Sequence, residues 1–244
     1  MSTAPPEGYW FGPVAQFLGP AYLRNAFTKG TTQEIDFLWN ELGFASGQSV
    51  LDIGCGPGRH ALELSRRGIT AIGIDASEEF VALAREAAEG EHLNARFEVA
   101  DVRELAYESE FDAAICLCQG GFGLLGGRDE VDVFHRIVRA VKPGGPIAVS
   151  AFHAPFAVRF LEEGESFNPA TGVLHERSTV RNSAGDEQDF DLWTTCFTTR
   201  ELELLAALAG MDAQAVYGVT PGRYRAVPPD LDAPELLLVG RRRA

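Results

Sequence analysis

Between Ser49 and Ser150, short apolar runs alternate with longer segments of helical spacing, and this alternation narrows the fold more than any other feature of the chain. SVLDIG, TAIGID, RFEVAD, FDAAICLC and PIAVSAF read as strands. RHALELSRRG, SEEFVALAREAAEG and DEVDVFHRIVRAVKPGG read as helices; the second opens with a capping serine and early glutamates, and the third closes at a Pro-Gly-Gly turn. Strands separated by helices require βαβ units, a parallel sheet and right-handed crossovers, so the fold class is α/β.

The rhythm changes after His153. VLHERSTVRN and QDFDLWTTCF flank SAGDE, whose Gly185 suits a turn, and together they predict an inserted hairpin within 154–197. TTRE, with Glu201 three residues after Thr198, predicts a capped helix ending at Gly210, followed by strand-like AQAVYGV and ELLLVG. Residues 1–45 form an aromatic, glycine-rich extension with a helix from Thr31 (TTQEIDFLWNEL). No repeat or low-complexity linker interrupts 1–244, so a single domain is expected: extension 1–45, core 46–153, hairpin 154–197, C-terminal helix and strands 198–244.

Composition excludes some partners. A net charge of −14 disfavours nucleic acid, which demands a clustered basic surface. No apolar run reaches the roughly 18 residues of a membrane span, and the N-terminus lacks a basic and apolar leader, so cytoplasmic residence without a membrane partner is expected. The four cysteines, Cys55, Cys116, Cys118 and Cys196, include no CxxC pair. Cys116 and Cys118 would share one face of a strand, and buried thiols are expected rather than a metal or disulfide framework.

LDIGCGPGRH stands at the first strand–helix turn, where open parallel sheets bind ligands. Its glycines, Gly54, Gly56 and Gly58, have GxGxG spacing; the dinucleotide fingerprint needs glycine where Arg59 stands, and no P-loop Gly-Lys-Ser/Thr follows. Asp75 ends the second strand about 20 residues on, where a carboxylate can accept from both hydroxyls of a ribose. Asp101 ends the third strand, where it can accept from an adenine amine with Val102 at the ring edge. The plainer alternatives are that Asp75 sits at a helix N-terminus and Asp101 caps a turn.

Taken together, VLDIGCGPGRH, GIDAS, VADVREL, FDAAICL and VKPGG resemble the class I S-adenosylmethionine-dependent methyltransferases over residues 46–153. The resemblance implies a three-layer α/β/α Rossmann-like fold: a mostly parallel seven-stranded sheet with an antiparallel last strand, here with an inserted β hairpin. It implies S-adenosyl-L-methionine as cofactor, with Asp75 and Ala76 at the ribose and Asp101 and Val102 at adenine. Gly54, Cys55, Gly56 and Gly58 would lie under the methionine moiety, and Asp52 would orient the loop or approach the amino group. Arg59 is either a carboxylate partner or an ordinary helix residue. Leu117, near the end of the fourth strand, would also touch the cofactor, and Gln119 follows that strand, close to where the methyl would lie. Tyr22 and Phe27 belong to a stretch that is either a lid facing the sulfonium, as aromatic faces attract cations, or a strap on the sheet edge.

Methyl transfer from a sulfonium is an in-line displacement needing alignment and exclusion of water, but no covalent nucleophile and no metal. If a base is used, His153 at the end of PIAVSAF is the best-placed imidazole, and Gln119 can orient an acceptor; a strand-ending histidine and a plain loop are the alternatives. His60, His92 and His135 read as structural or exposed, and His175 lies in the hairpin. Phe167, Trp193 and Phe197 either roof an apolar acceptor pocket or pack within the hairpin or a homodimer surface. The expected function is methyl transfer to a small-molecule acceptor of unassigned atom; CQGGFG in place of an Asn-Pro-Pro-Tyr-type motif disfavours amino methylation of DNA or protein glutamine. The alternatives are an S-adenosylmethionine-binding enzyme of the same fold catalysing a cyclisation, and an NAD-dependent oxidoreductase.

Overall fold

The computed structural model describes residues 5, 7–118 and 120–244. The N-terminal extension runs through α1 (Gly12–Leu18), two short 3-10 turns and α2 (Thr31–Leu42). The core follows as β1 (Ser49–Ile53), α3 (Arg59–Arg66), β2 (Thr70–Asp75), α4 (Glu78–Gly90), β3 (Ala95–Val99), β4 (Ala113–Cys116), α5 (Glu130–Ala140) and β5 (Pro146–His153). Then come α6 (Ala154–Arg159), β6 (Ser166–Asn168), β7 (Val173–Arg181), β8 (Glu187–Phe197), α7 (Thr199–Leu208), β9 (Met211–Val219) and β10 (Glu235–Arg242). Among the described residues, no helix is long and apolar enough to cross a membrane.

The order β3-β2-β1-β4-β5 is parallel throughout, and β10 inserts antiparallel between β5 and β9. This is the expected mostly parallel sheet with an antiparallel last strand. Period-two alternation divides its side chains between two cores. Leu51, Ile53, Ile147 and Val149 pack against Val133, Phe134 and Ile137 of α5 and Leu202 and Ala206 of α7. On the opposite face Val50, Ala71, Ile115 and Leu237 meet Ile35 and Leu38 of α2, Leu64 of α3 and Val81 and Ala84 of α4.

The strand count is larger than expected, because the hairpin joins the sheet and brings it to ten strands. β4 pairs with β5 only as far as Val149, whereas β10 covers the other edge of β5 as far as Phe152. The edge left beyond β4 is taken in parallel by the end of β8, through Phe152–Cys196 and His153–Phe197. The hairpin therefore rises past the carboxyl end of β4, on the side of the sheet where the strand–helix loops lie.

Local signals place the helix starts. Ser77 Oγ accepts from Phe80 N at 3.2 Å. At α7 the Glu201 amide donates to Thr198 Oγ1 at 3.2 Å and the Thr198 amide to Glu201 Oε2 at 2.6 Å, closing a capping box. One expectation needs correction: the fourth strand ends at Cys116, and Cys118 turns away with φ of 50°. The two thiols therefore share no strand face.

Candidate functional site

The glycine loop uses its three glycines differently. All have positive φ, 65° at Gly54, 54° at Gly56 and 79° at Gly58, which favours residues without a Cβ. A Cβ on Gly54 would stand 2.1 Å from the Gly121 amide nitrogen, so the loop after β4 lies directly on it. A Cβ on Gly58 would meet Ala84 and the Phe97 ring at 2.8 Å, which makes Gly58 a packing position against α4 and β3. Gly56 has room: its nearest neighbours would be 3.9 Å away or more.

Two carboxylates fix this loop, and a third stands at the end of the neighbouring strand. Asp52, 1% exposed, accepts from the Ala61 amide at 3.1 Å and so caps α3 from within β1. Burial pushes its carboxyl up to about 7, against the pull of Arg59. Asp75 accepts from Gly56 N through one oxygen and from Ser77 N through the other, each at 2.8 Å, tying the loop to the start of α4. Burial raises its proton affinity while those two amides oppose the rise. Asp101 accepts from the Arg103 amide at 2.9 Å and pairs with its guanidinium at 2.5 Å, which holds the carboxyl below its ordinary value.

Beyond the carboxyl ends of β1, β2 and β3 lies a first cavity. Gly54, Asp75, Ala76, Asp101 and Val102 line it together, with Gly8 and Tyr9 of the extension and Gly120, Gly121 and Leu124 of the loop after β4. Arg103 lines it too, and its part was missed because a residue paired two positions from Asp101 has no mark in the sequence beyond its charge. Cys55 and Leu117 are buried in the core beside α2, α3 and α4 rather than in the lining. Gln119 lies outside the described residues.

Arg59 lies outside this lining. Its guanidinium reaches Glu34 at 2.5 Å, Thr31 Oγ1 at 3.0 Å and Cys118 Sγ at 2.6 Å. Glu34, fully buried, also contacts His60 Nε2 at 2.7 Å and accepts from the Gly222 amide at 2.8 Å. Burial disfavours the Glu34 charge, but the bond to His60 and the Arg59 charge outweigh it and lower the carboxyl to about 2. Burial and Arg59 together lower His60 to about 4, so it is neutral at pH 7 and donates to Glu34. Glu34, His60 and Cys118 offer ligand atoms within 4.8 Å of one another, but the Arg59 guanidinium already supplies the positive charge among them. The sequence hinted at this centre only through an acid flanked by Ile35 and Leu38 on the apolar face of α2.

A second cavity of about 380 Å³ adjoins the first, with Leu124 in the lining of both. Trp10, Phe11, Tyr22 and Phe27 form its N-terminal wall, so the two aromatics expected in a lid stand here and not in the first cavity. Tyr22 also packs on Phe80 with centroids 4.7 Å apart and on Phe27 at 5.5 Å. The hairpin supplies Leu174, Glu176, Leu192 and Thr194, which are cross-strand partners on one face. The aromatics expected to roof a pocket are absent from that lining: Phe197 stacks on Phe122 at 4.7 Å, Trp193 meets Trp10 at 5.3 Å, and Phe167 packs against a small cluster with Leu174. Trp193 misses the cavity because it alternates with Leu192 and Thr194.

His153 lines neither cavity. Its buried ring places Nδ1 3.0 Å from the Ala233 carbonyl, so it closes β5 in the manner of the plainer alternative. His175 contacts Asp191 at 3.0 Å and stacks on Trp193.

Residues 50–145 match the family model of a methyltransferase domain. The chain is 34% identical to a ubiquinone biosynthesis O-methyltransferase of Alkalilimnicola ehrlichii over 49% of its own length and 47% of the relative's. It is 29% identical to a 27-O-demethylrifamycin SV methyltransferase of Amycolatopsis mediterranei, over 97% of this chain and 89% of that one. The matches to the first of these curated relatives span about half of the relatives' length or less. Among solved structures, the CcbJ methyltransferase of Streptomyces caelestis has a TM-score of 0.75 at 19% identity, covering 97% of this chain and 98% of that one.

Proposed function

We propose that this chain is a class I S-adenosylmethionine-dependent methyltransferase and that it transfers a methyl group from S-adenosylmethionine to a small, largely apolar acceptor, a reading supported by the methyltransferase-domain match and the methyltransferases it resembles. The observation that carries this reading is the pair of adjoining cavities, one with the Asp75 and Asp101 carboxylates and one with an aromatic wall, meeting at Leu124.

The first cavity suits the nucleoside. Each Asp75 oxygen spends one lone pair on a backbone amide and keeps others for two ribose hydroxyls. Asp101, steadied by Arg103, and the Val102 backbone would face an adenine edge, while glycine at Gly54 lets the loop after β4 close on the turn to complete the cavity wall. When bound, S-adenosylmethionine supplies an electrophilic methyl on a positively charged sulfur. The protein's part is to hold the acceptor in line and keep water out, which the strap and the hairpin do by closing over the second cavity. Transfer draws no base from His153, whose ring is turned to the Ala233 carbonyl.

The hairpin over the acceptor site belongs in this reading to the same domain as the core. The charge of −14 favours a small molecule over nucleic acid, and the chemistry is assigned to the cytoplasm. Titration calorimetry with S-adenosylhomocysteine and with NAD tests the proposal. Binding of the first without the second is expected, and a preference for NAD would refute it.

A further inference from the structure

The walls of the second cavity select for charge. Besides the four aromatic side chains of the strap it has two carboxylic acids in its lining, Glu176 from β7 and Glu235 from the start of β10, and, among the described residues, no lysine, arginine or histidine. Glu176 is half-buried, and its carboxylate makes no hydrogen bond or ion pair among the described residues. The ionisable groups around it are Glu165 and Glu162, of like sign, and His175, whose ring nitrogen is already engaged by Asp191 at 3.0 Å. Burial and those two glutamates raise the Glu176 carboxyl above its ordinary value, as happens when a carboxylate has no counter-charge. A carboxylate set in an apolar wall gains most from a cation, through a charge-assisted hydrogen bond, and ring faces at the same site attract the same charge.

We propose that the acceptor cavity takes an apolar small molecule bearing an amine, bound as its ammonium, with Glu176 as counter-ion and the rings of Trp10, Phe11, Tyr22 and Phe27 around it. The inference rests on the methyl-transfer reading and deepens it, because an ammonium nitrogen becomes an acceptor only after it loses a proton. Glu176 is in place to take that proton: the N–H bond breaks, its electron pair stays on nitrogen, and the carboxylate becomes a carboxylic acid. A neutral alcohol of the same shape buries the same apolar surface but gains neither the ion pair nor the ring attraction. A carboxylate of that shape meets the like charge of Glu176.

The test uses the full chain saturated with S-adenosylhomocysteine, titrated with phenethylamine, phenethyl alcohol and phenylacetate. The amine is expected to bind at least about tenfold more tightly than the alcohol, with phenylacetate weaker still. In Glu176→Gln that preference should collapse while S-adenosylhomocysteine affinity stays unchanged, which also shows the variant to be folded. Equal binding of amine and alcohol, binding of none of the three, or a preference that survives Glu176→Gln overturns the inference. Failure of S-adenosylhomocysteine itself to bind instead removes the underlying function.

Discussion

Replacing Glu34 by glutamine removes one charge from a centre holding three segments of chain together. The native carboxylate meets Arg59 at 2.5 Å, His60 at 2.7 Å and the Gly222 amide at 2.8 Å, with 0% exposure. Its carboxyl is lowered from 4.5 to about 2, and at about 1.4 kcal/mol per tenfold change in proton affinity this corresponds to roughly 3 kcal/mol. Glutamine keeps the size and an oxygen for Gly222, but leaves a guanidinium that is 10% exposed without an anion, which costs about 3–5 kcal/mol at buried sites. The two routes describe the same interaction and are not added. Because the folded carboxyl is the stronger acid, its contribution is complete above about pH 4.5 and is lost as pH falls through about 2. Urea unfolding of native protein and Glu34→Gln should therefore differ by about 3 kcal/mol at pH 7, and most of the difference should be gone by about pH 3. A difference below about 1 kcal/mol at pH 7, or one that stays constant on acidification, would refute the assignment of Glu34 as the charged anchor.

Three further substitutions separate binding from architecture. Asp75→Asn should weaken S-adenosylhomocysteine binding by about 1–3 kcal/mol in calorimetry, since the amide keeps one acceptor and loses the charge; unchanged affinity in a folded variant would take Asp75 away from the ribose. Gly54→Ala places a Cβ 2.1 Å from the Gly121 nitrogen at a φ of 65°, so thermal unfolding should fall by several degrees, whereas Gly56→Ala, with only the backbone cost, should fall less. Equal shifts in the two variants would show that contact with the loop after β4 is not what demands glycine at Gly54.

The core was legible because its information is periodic and local. Alternating Val50, Leu51, Asp52 and Ile53 report a two-sided strand, and Ser77 with Glu78 and Glu79 report a helix start without reference to anything distant. Asp75 and Asp101 were found because strand ends in a parallel sheet converge, so order along the chain is enough to place them in one cavity. What escaped depends on contacts across long stretches of chain. Arg59 was read from its neighbours in the glycine loop, but its partners lie on α2 and after β4. His153 sits at the right strand end, yet the Ala233 carbonyl, a contact no periodicity reveals, claims its ring. In the hairpin the bulky aromatics drew attention, while strand parity turned Leu192 and Thr194 to the cavity and Trp193 to Trp10.

Tyr9 and Trp10 are neighbours in the chain, yet one borders the first cavity and the other the second, and the Trp10 indole nitrogen donates to the Leu124 carbonyl at 2.9 Å. Two consecutive residues thus serve as walls of two different cavities, and Leu124, in the lining of both, holds the partition between them. A molecule in one cavity and a molecule in the other would press on the same short stretch of chain, and any coupling between their affinities would run equally in both directions.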